Sequence, residues 1–374
     1  MRNSNILILA LFICTSVFGQ FPEFKLYEIG ETEEDLLGQT SLADIDNDGD
    51  MDWVVGSNYG TIWWFEYQDA GKWIKHILGE NAITFIGGTA YDVNGDGLTD
   101  QVSGQTWFKN TGNGNFERFE NGAIIAYDNA HADLDGDGKQ DMIAVSEEDG
   151  LYWYPNPSKP EKKWKGYKID VGVPGGISNE AIGDLNGDMK PDIVRSNAWY
   201  ENTGDPGKWY VHYSFEIGAN VGKYVHSLRA WMADMDKDGD NDVILCEMNT
   251  ENARIAWFEN KDMKGTNWYM HTIDYDTQQD FHSLAVCDFD NDGDLDVFSG
   301  GARFTKDFHK RCYIWENTDG AATTWKKHEI LVDYESHEAR AADVDGDGDI
   351  DICTKPWKGS TKNIYLRNML IENK

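Results

Sequence analysis

Seven nine-residue acidic segments begin at Asp44, Asp92, Asp133, Asp184, Asp234, Asp288 and Asp343, each close to the pattern D-x-[D/N]-x-D-G-x-x-D. Oxygen ligands at positions one, three, five and nine, around a glycine that allows a sharp turn at position six, form a cage suited to calcium. The ligand sets are Asp44, Asp46, Asp48 and Asp52; Asp92, Asn94, Asp96 and Asp100; Asp133, Asp135, Asp137 and Asp141; and Asp184, Asn186, Asp188 and Asp192. They continue with Asp234, Asp236, Asp238 and Asp242; Asp288, Asp290, Asp292 and Asp296; and Asp343, Asp345, Asp347 and Asp351. Asn94 and Asn186 each remove one charge, and Met189 replaces the glycine of the fourth loop. That loop is therefore expected to be strained or reshaped, and to be the weakest of up to seven calcium sites.

A catalytic centre is singular, so seven equivalent loops read as structural staples. They also serve as rulers. His226, His282 and His337 lie 8, 6 and 6 residues before the first aspartate of the fifth, sixth and seventh loops. Their contexts are VHSLRAW, FHSLAVC and SHEARAA, whereas the matching stretches of the first four units hold Gln39, Gly87, Asp128 and Ser178. His76, His212, His271 and His328 instead belong to a repeated W-x-x-[H/Y] motif, where Tyr167 replaces them once, and they read as structural.

The loops recur at spacings of 48, 41, 51, 50, 54 and 55 residues, and a repeat of that period signals a repeat architecture. Each unit offers an alternating apolar segment before the loop and an apolar strand after it. A third strand ends in aromatic-x-Asn (WFKN, WYPN, WYEN, WFEN), and a fourth carries W-x-x-[H/Y]. Four short strands per unit with no helical period describe a propeller blade. The expected fold is all-β, a seven-bladed β-propeller. The last unit lacks a fourth strand, and Phe24 to Ile29 (FKLYEI) resembles it, so the N-terminal strand is expected to close the last blade and cover its open edge.

The loops and the aromatic-x-Asn strands resemble the FG-GAP/VCBS repeat family of calcium-loop propellers over essentially all of the mature chain. The resemblance implies that the acidic loops join strands A and B on one face. The starts of strands A and the B–C connections then surround a funnel on the other face, where the three histidines would converge. The B–C connections add Glu247, Asn249 and Arg254 in blade five, and Arg303, Lys306 and His309 in blade six. Blade seven adds Lys355 and Trp357, so the rim is expected to build up over blades five to seven. Tyr224 and Tyr334 lie just before the histidines. Arg229 and Arg340 follow them by three residues, and strand alternation turns these two away unless a bulge intervenes.

Histidine, arginine, lysine and tyrosine in a concave mouth suit proton removal beside a carbonyl with expulsion of a β-oxygen, which needs a base, a proton donor and a cation or metal for the enolate. Three histidines could instead hold one further divalent metal. The same mouth could hold an anionic sugar without reaction, with Trp357 as a stacking platform. Glycoside hydrolysis, which needs paired carboxylates, fits less well. Two groups of calcium-loop propellers, the aldos-2-ulose dehydratases and the ulvan lyases, catalyse eliminations on sugars. The H-x-x-x-x-x-D spacing of His282 and His337, with His226 offset by two, looks closer to the dehydratases, although their extra domains are missing here. The expected function is β-elimination on sugars, a dehydratase on uronate-containing oligosaccharides such as ulvan fragments. A polysaccharide lyase and a non-catalytic carbohydrate-binding propeller are the alternatives, and an adhesion scaffold has only the fold in its favour. The expected catalytic set is His226, His282, His337, Arg303, Lys355 and Tyr334.

The 374 residues hold 66 acidic and 33 basic side chains, a formal charge of −33. Much of this acid lies in the loops, and seven divalent ions would leave about −19. The balance argues against nucleic acid and against anionic membrane surfaces. Residues 1–19 read as a signal peptide, with Arg2, an apolar stretch from Ile6 to Val17 and a Val17-Phe18-Gly19 cleavage site. Residues 20–374 are then one propeller domain, exported to the periplasm or secreted, without a membrane span and monomeric. Cys246, Cys287, Cys312 and Cys353 read as buried thiols, with one or two disulfides as the alternative.

Overall fold

The computed structural model describes residues 21–34, 36–171, 175–217, 228–248, 250, 253–275, 280–302 and 310–371. They form seven four-stranded antiparallel sheets. Within each sheet strands A to D run outward in chain order. Blade six, for example, comprises Phe281–Cys287, Asp296–Gly301, Arg311–Asn317 and Trp325–Val332. Blade seven takes its inner three strands, Glu338–Ala342, Asp351–Lys355 and Lys362–Asn368, from the C-terminus and its outer strand, Phe24–Glu31, from the N-terminus. Phe24 faces Asn368 and Glu28 faces Ile364 in that pairing. The ring therefore closes as the missing strand suggested.

Strand period explains why the blades stack. Middle strands are buried on both faces, as in DVILCE and IAWFEN of blade five, while outer strands alternate. Seven apolar clusters form, each between two neighbouring blades. Trp64, Trp107, Trp153, Trp199 and Trp257 occupy equivalent C-strand positions, each at most 2 % exposed, and Ile314 and Tyr365 stand there in blades six and seven. Burying one large apolar side chain contributes about 1.5–3 kcal/mol, so these rings dominate the inter-blade packing. The outer histidines lie over them: His76 stacks on Trp64 at 4.4 Å, His212 on Trp199 at 4.1 Å and His271 on Trp257 at 4.3 Å. Their Nε2 atoms meet Glu66, Glu201 and Glu259, and His328 meets Glu316 in the same way. These four are structural. All four described cysteines are free thiols.

Candidate active site

The acidic loops are folded by their own aspartates. In the first loop Asp44 accepts N–H bonds from Asn47, Asp48 and Gly49, and the other loops repeat much of this set. Position six lies in the left-handed region in every loop, from Gly97 at φ 83° to Gly49 at 104°. Met189 adopts the same conformation at φ 65°, with the same bond to Asp184, so that loop is strained and not reshaped. The ninth aspartate does more than the motif implied. Asp296 Oδ2 accepts from Phe289 N and Oδ1 from Asn317 N, and all seven copies make the equivalent pair of bonds. The strand-C asparagine then crosses to the preceding blade: Asn110 Nδ2 donates to the Ile45 carbonyl, Asn202 to Leu134, Asn260 to Leu185 and Asn368 to Phe289.

Three-carboxylate groups that could hold a metal ion occur in the first, third, fifth, sixth and seventh loops. The two remaining loops carry Asn94 and Asn186. Buried carboxylate oxygens without a hydrogen-bond partner fit a cation: Asp46 Oδ1 and Asp236 Oδ1 at position three, and Asp50, Asp240 and Asp349 at position seven. Position seven was missed as a ligand, although aspartate is legible there in four loops. Burial pushes Asp52, Asp242, Asp296 and Asp351 up to about 8. Burial, then the Asp48 charge, raises Asp50 to about 7. A divalent ion would supply the missing countercharge and act as a structural clip.

On the opposite face a cavity of about 600 Å³ is lined by His282, His337 and Trp357 on one side. Tyr59, Phe85, Ile86, Ile125 and Tyr127 form the other wall, with Ser146, Glu147, Glu148 and Asp149 at the rim. Blades six, seven, one, two and three therefore build it, in place of the expected blades five to seven. Blade five turns inward on itself: Glu247 is 3 % exposed and accepts the Arg254 N–H, while Arg254 reaches the Ile217 carbonyl.

His282 and His337 stack with ring centroids 4.0 Å apart, and His337 stacks on Trp357 at 5.0 Å. A register shift between Phe281 and Ser283 puts a bulge at His282, which re-aims that side chain. Behind the rings the hydroxyls of Ser283, Ser336 and Thr354 form a buried chain with spacings of 3.0 and 2.8 Å, fixing blades six and seven together. His282 Nδ1 lies 2.9 Å from the His337 carbonyl, so Nδ1 carries the proton and Nε2 the lone pair. His337 Nδ1 lies 3.1 Å from Lys355 Nζ. An ammonium only donates, so with Lys355 charged His337 has its lone pair on Nδ1 and its proton on Nε2. With Lys355 charged, the two rings thus carry opposite tautomers.

Lys355 is fully buried, donates to the Leu37 carbonyl, and pairs across the strand with Glu338. Burial lowers it to about 7, against the opposing pull of Glu338. Burial also lowers His282 to about 3 and His337 well below its usual range, so both imidazoles are neutral at pH 7.

The structure brings His282, His337, Lys355 and Trp357 together. Tyr334 is a correction: its hydroxyl donates to the Lys362 carbonyl, its ring packs into the cluster between blades six and seven, and it does not line the cavity. Arg229 is another, since it reaches under the histidines instead of turning away. His226, Arg303, Tyr224, Asn249, Lys306 and His309 lie outside the described residues. The metal-capable groups among the described residues all lie in the loops, so no described third ligand joins His282 and His337. Tyr59, Phe85, Tyr127 and Glu147–Asp149 were missed. They stand in connections that carry no repeated motif.

The FG-GAP-like repeat family model matches residues 44–103, 133–195 and 234–299, half of the chain. This protein belongs to the FG-GAP-like repeat family. No curated protein matches it in sequence. Among solved structures, an Agrocybe aegerita lectin that recognises non-reducing terminal N-acetylglucosamine is similar at 16 % identity and TM-score 0.55, covering 80 % of this chain and 81 % of the lectin. The extracellular domain of a one-component system from B. thetaiotaomicron matches at 12 % identity and TM-score 0.53, over 93 % of this chain and 40 % of that one. YCF48 from Cyanidioschyzon merolae matches at 9 % identity and TM-score 0.53, over 91 % and 98 %. At such identities these likenesses show the fold alone. Among the described residues no helix is long and apolar enough to cross a membrane.

Proposed function

We propose that this FG-GAP-like propeller is an exported carbohydrate-active lyase, a dehydratase that eliminates water from uronate-containing oligosaccharides at the funnel cavity. One observation carries the reading: two stacked neutral histidines of opposite tautomer line one aromatic cavity, with a lysine of near-neutral affinity for its proton behind one of them. His282 Nε2 takes the proton beside the sugar carbonyl or carboxylate. The C–H electrons form the new double bond, the β C–O bond breaks, and His337 Nε2–H protonates the departing oxygen, which leaves as water. Lys355 protonates Nδ1 as Nε2–H leaves, so His337 stays neutral. Before the next turnover the proton taken by His282 reaches His337 Nε2 through water, and His337 Nδ1 returns its proton to Lys355.

The aromatic faces of Tyr59, Phe85, Tyr127 and Trp357 suit the apolar faces of sugar rings. Glu147, Glu148 and Asp149 repel a carboxylate, so the uronate end belongs on the histidine side. We assign calcium to the loops, where the hard oxygen donors suit it, as a structural ion only. Export rests on the signal-like residues 1–19.

A chain-cleaving lyase would use the same pair with a sugar as leaving group. A second reading, sugar binding without reaction, draws support from the aromatic wall and from the lectin of similar fold. Incubation with uronate oligosaccharides, followed by ultraviolet absorbance and product mass, separates the three. Loss of one water supports the dehydratase, chain shortening the lyase, and binding without any product the lectin.

A further inference from the structure

Beneath the histidine pair lies a set of charges that the proposed reaction leaves unused. Arg229, second residue of the blade-five inner strand Leu228–Ala233, crosses the ring axis. Its Nη1 donates to Asp128 of blade three at 3.1 Å, its Nη2 lies 3.7 Å from Glu338 of blade seven, and its Nε donates to the His282 carbonyl of blade six at 3.2 Å. The three side chains are 12 %, 9 % and 8 % exposed. Asp128 also accepts from Ile177 N, and Glu338 from Arg340. Glu338 stands opposite Lys355 in the strand pairing, and Lys355 touches His337. One guanidinium thus connects four blades and reaches both histidines, His282 through its carbonyl and His337 through Glu338 and Lys355.

We propose that Arg229 is a positioning residue for the elimination: clasping the His282 carbonyl, Asp128 and Glu338 across the axis, it holds the bulge that aims His282 and limits how far Glu338 favours the charged form of Lys355. This rests on the acid–base reading above, but its physical core does not need turnover. The charged and titratable groups around Lys355 are Glu338, Glu335, Arg229, Arg340, His337 and His282. Glu338 stabilises the ammonium and Arg229 opposes it. Removing the guanidinium leaves Glu338 to act on Lys355 with less opposition, so the lysine becomes more basic.

The test is nitrogen-15 NMR of histidine-labelled protein titrated without substrate. The His337 ring signals report Lys355, because its ammonium is the Nδ1 donor. In the unaltered protein they should shift near neutral pH. In Arg229→Met the midpoint should rise by roughly one pH unit or more, and Arg229→Lys should restore most of it. The double variant Arg229→Met/Asp128→Asn removes both charges together and serves where the single variant does not fold. On an elimination substrate, Arg229→Met should lower kcat about a hundredfold with KM little changed, as expected for a misplaced base. An unchanged midpoint in either folded variant overturns the proposal. Absence of turnover in the unaltered protein, with the midpoint shift intact, sinks the lyase reading and leaves the clasp standing.

Discussion

At the scale of single residues, the decisive features are two ring tautomers and one buried amine. His282→Ala and His337→Ala should each lower turnover by about a hundredfold or more with metal content retained. The lost contact between blades six and seven should lower the melting temperature without unfolding the ring. The pH dependence follows from the groups already placed. His282 is a base wherever it is neutral, above about pH 3, and Lys355 supplies its proton below about pH 7. kcat/KM should therefore hold on the acid side and fall as pH rises through 7, and Lys355→Met should abolish that fall along with most of the rate. A rate that climbs through pH 7 would contradict the assignment. His282 and His337 were legible as departures from the repeat. Their mutual stacking was not, because it depends on a bulge that no residue pattern announces. Tyr334 was misplaced for a related reason: adjacency to a histidine says nothing about side-chain direction once the strand has ended.

At the scale of the element, the acidic loop proves to be two devices in one. Its early aspartates cluster closely enough to hold a cation, while its ninth aspartate ties the loop to strand C by accepting one backbone N–H from each. Asp296→Ala leaves two buried N–H groups unpaired and should cost about 3 kcal/mol in denaturant unfolding, even with the metal chelated. Met189 is 91 % exposed at a left-handed φ, so Met189→Gly relieves strain and forfeits no packing. It should stabilise by about 1 kcal/mol and tighten the fourth loop, which calorimetric titration of the parent should find to be the weakest. The loop motif made the cation cage legible from sequence. The role of the strand-C asparagine was hidden, because Asn110, Asn156, Asn202, Asn260 and Asn368 each bond a carbonyl 63 to 79 residues earlier, in another blade.

At the scale of the molecule, the repeat period and the missing last strand were enough to indicate a closed seven-bladed ring, because every unit has the same unsatisfied faces and edges. The funnel was less legible: its walls come from five blades and from connections of irregular length. The ring also predicts a pH response. The ninth aspartates are raised to between about 6 and 8 by burial, so without metal their protonated forms favour the fold. Chelated protein should lose thermal stability as pH rises from about 4 to about 8 and level off above that, and calcium should remove that loss; a flat curve for the chelated protein would be evidence against empty, crowded loops. The central claim is that the funnel histidines perform an elimination. The direct measurement is the mass and ultraviolet absorbance of products from uronate oligosaccharides, with the parent protein beside His282→Ala and His337→Ala. An unsaturated product lighter by one water, formed by the parent and lost in both variants, is the predicted result. A product formed equally by all three, or sugar bound and released unchanged by the parent, would contradict it.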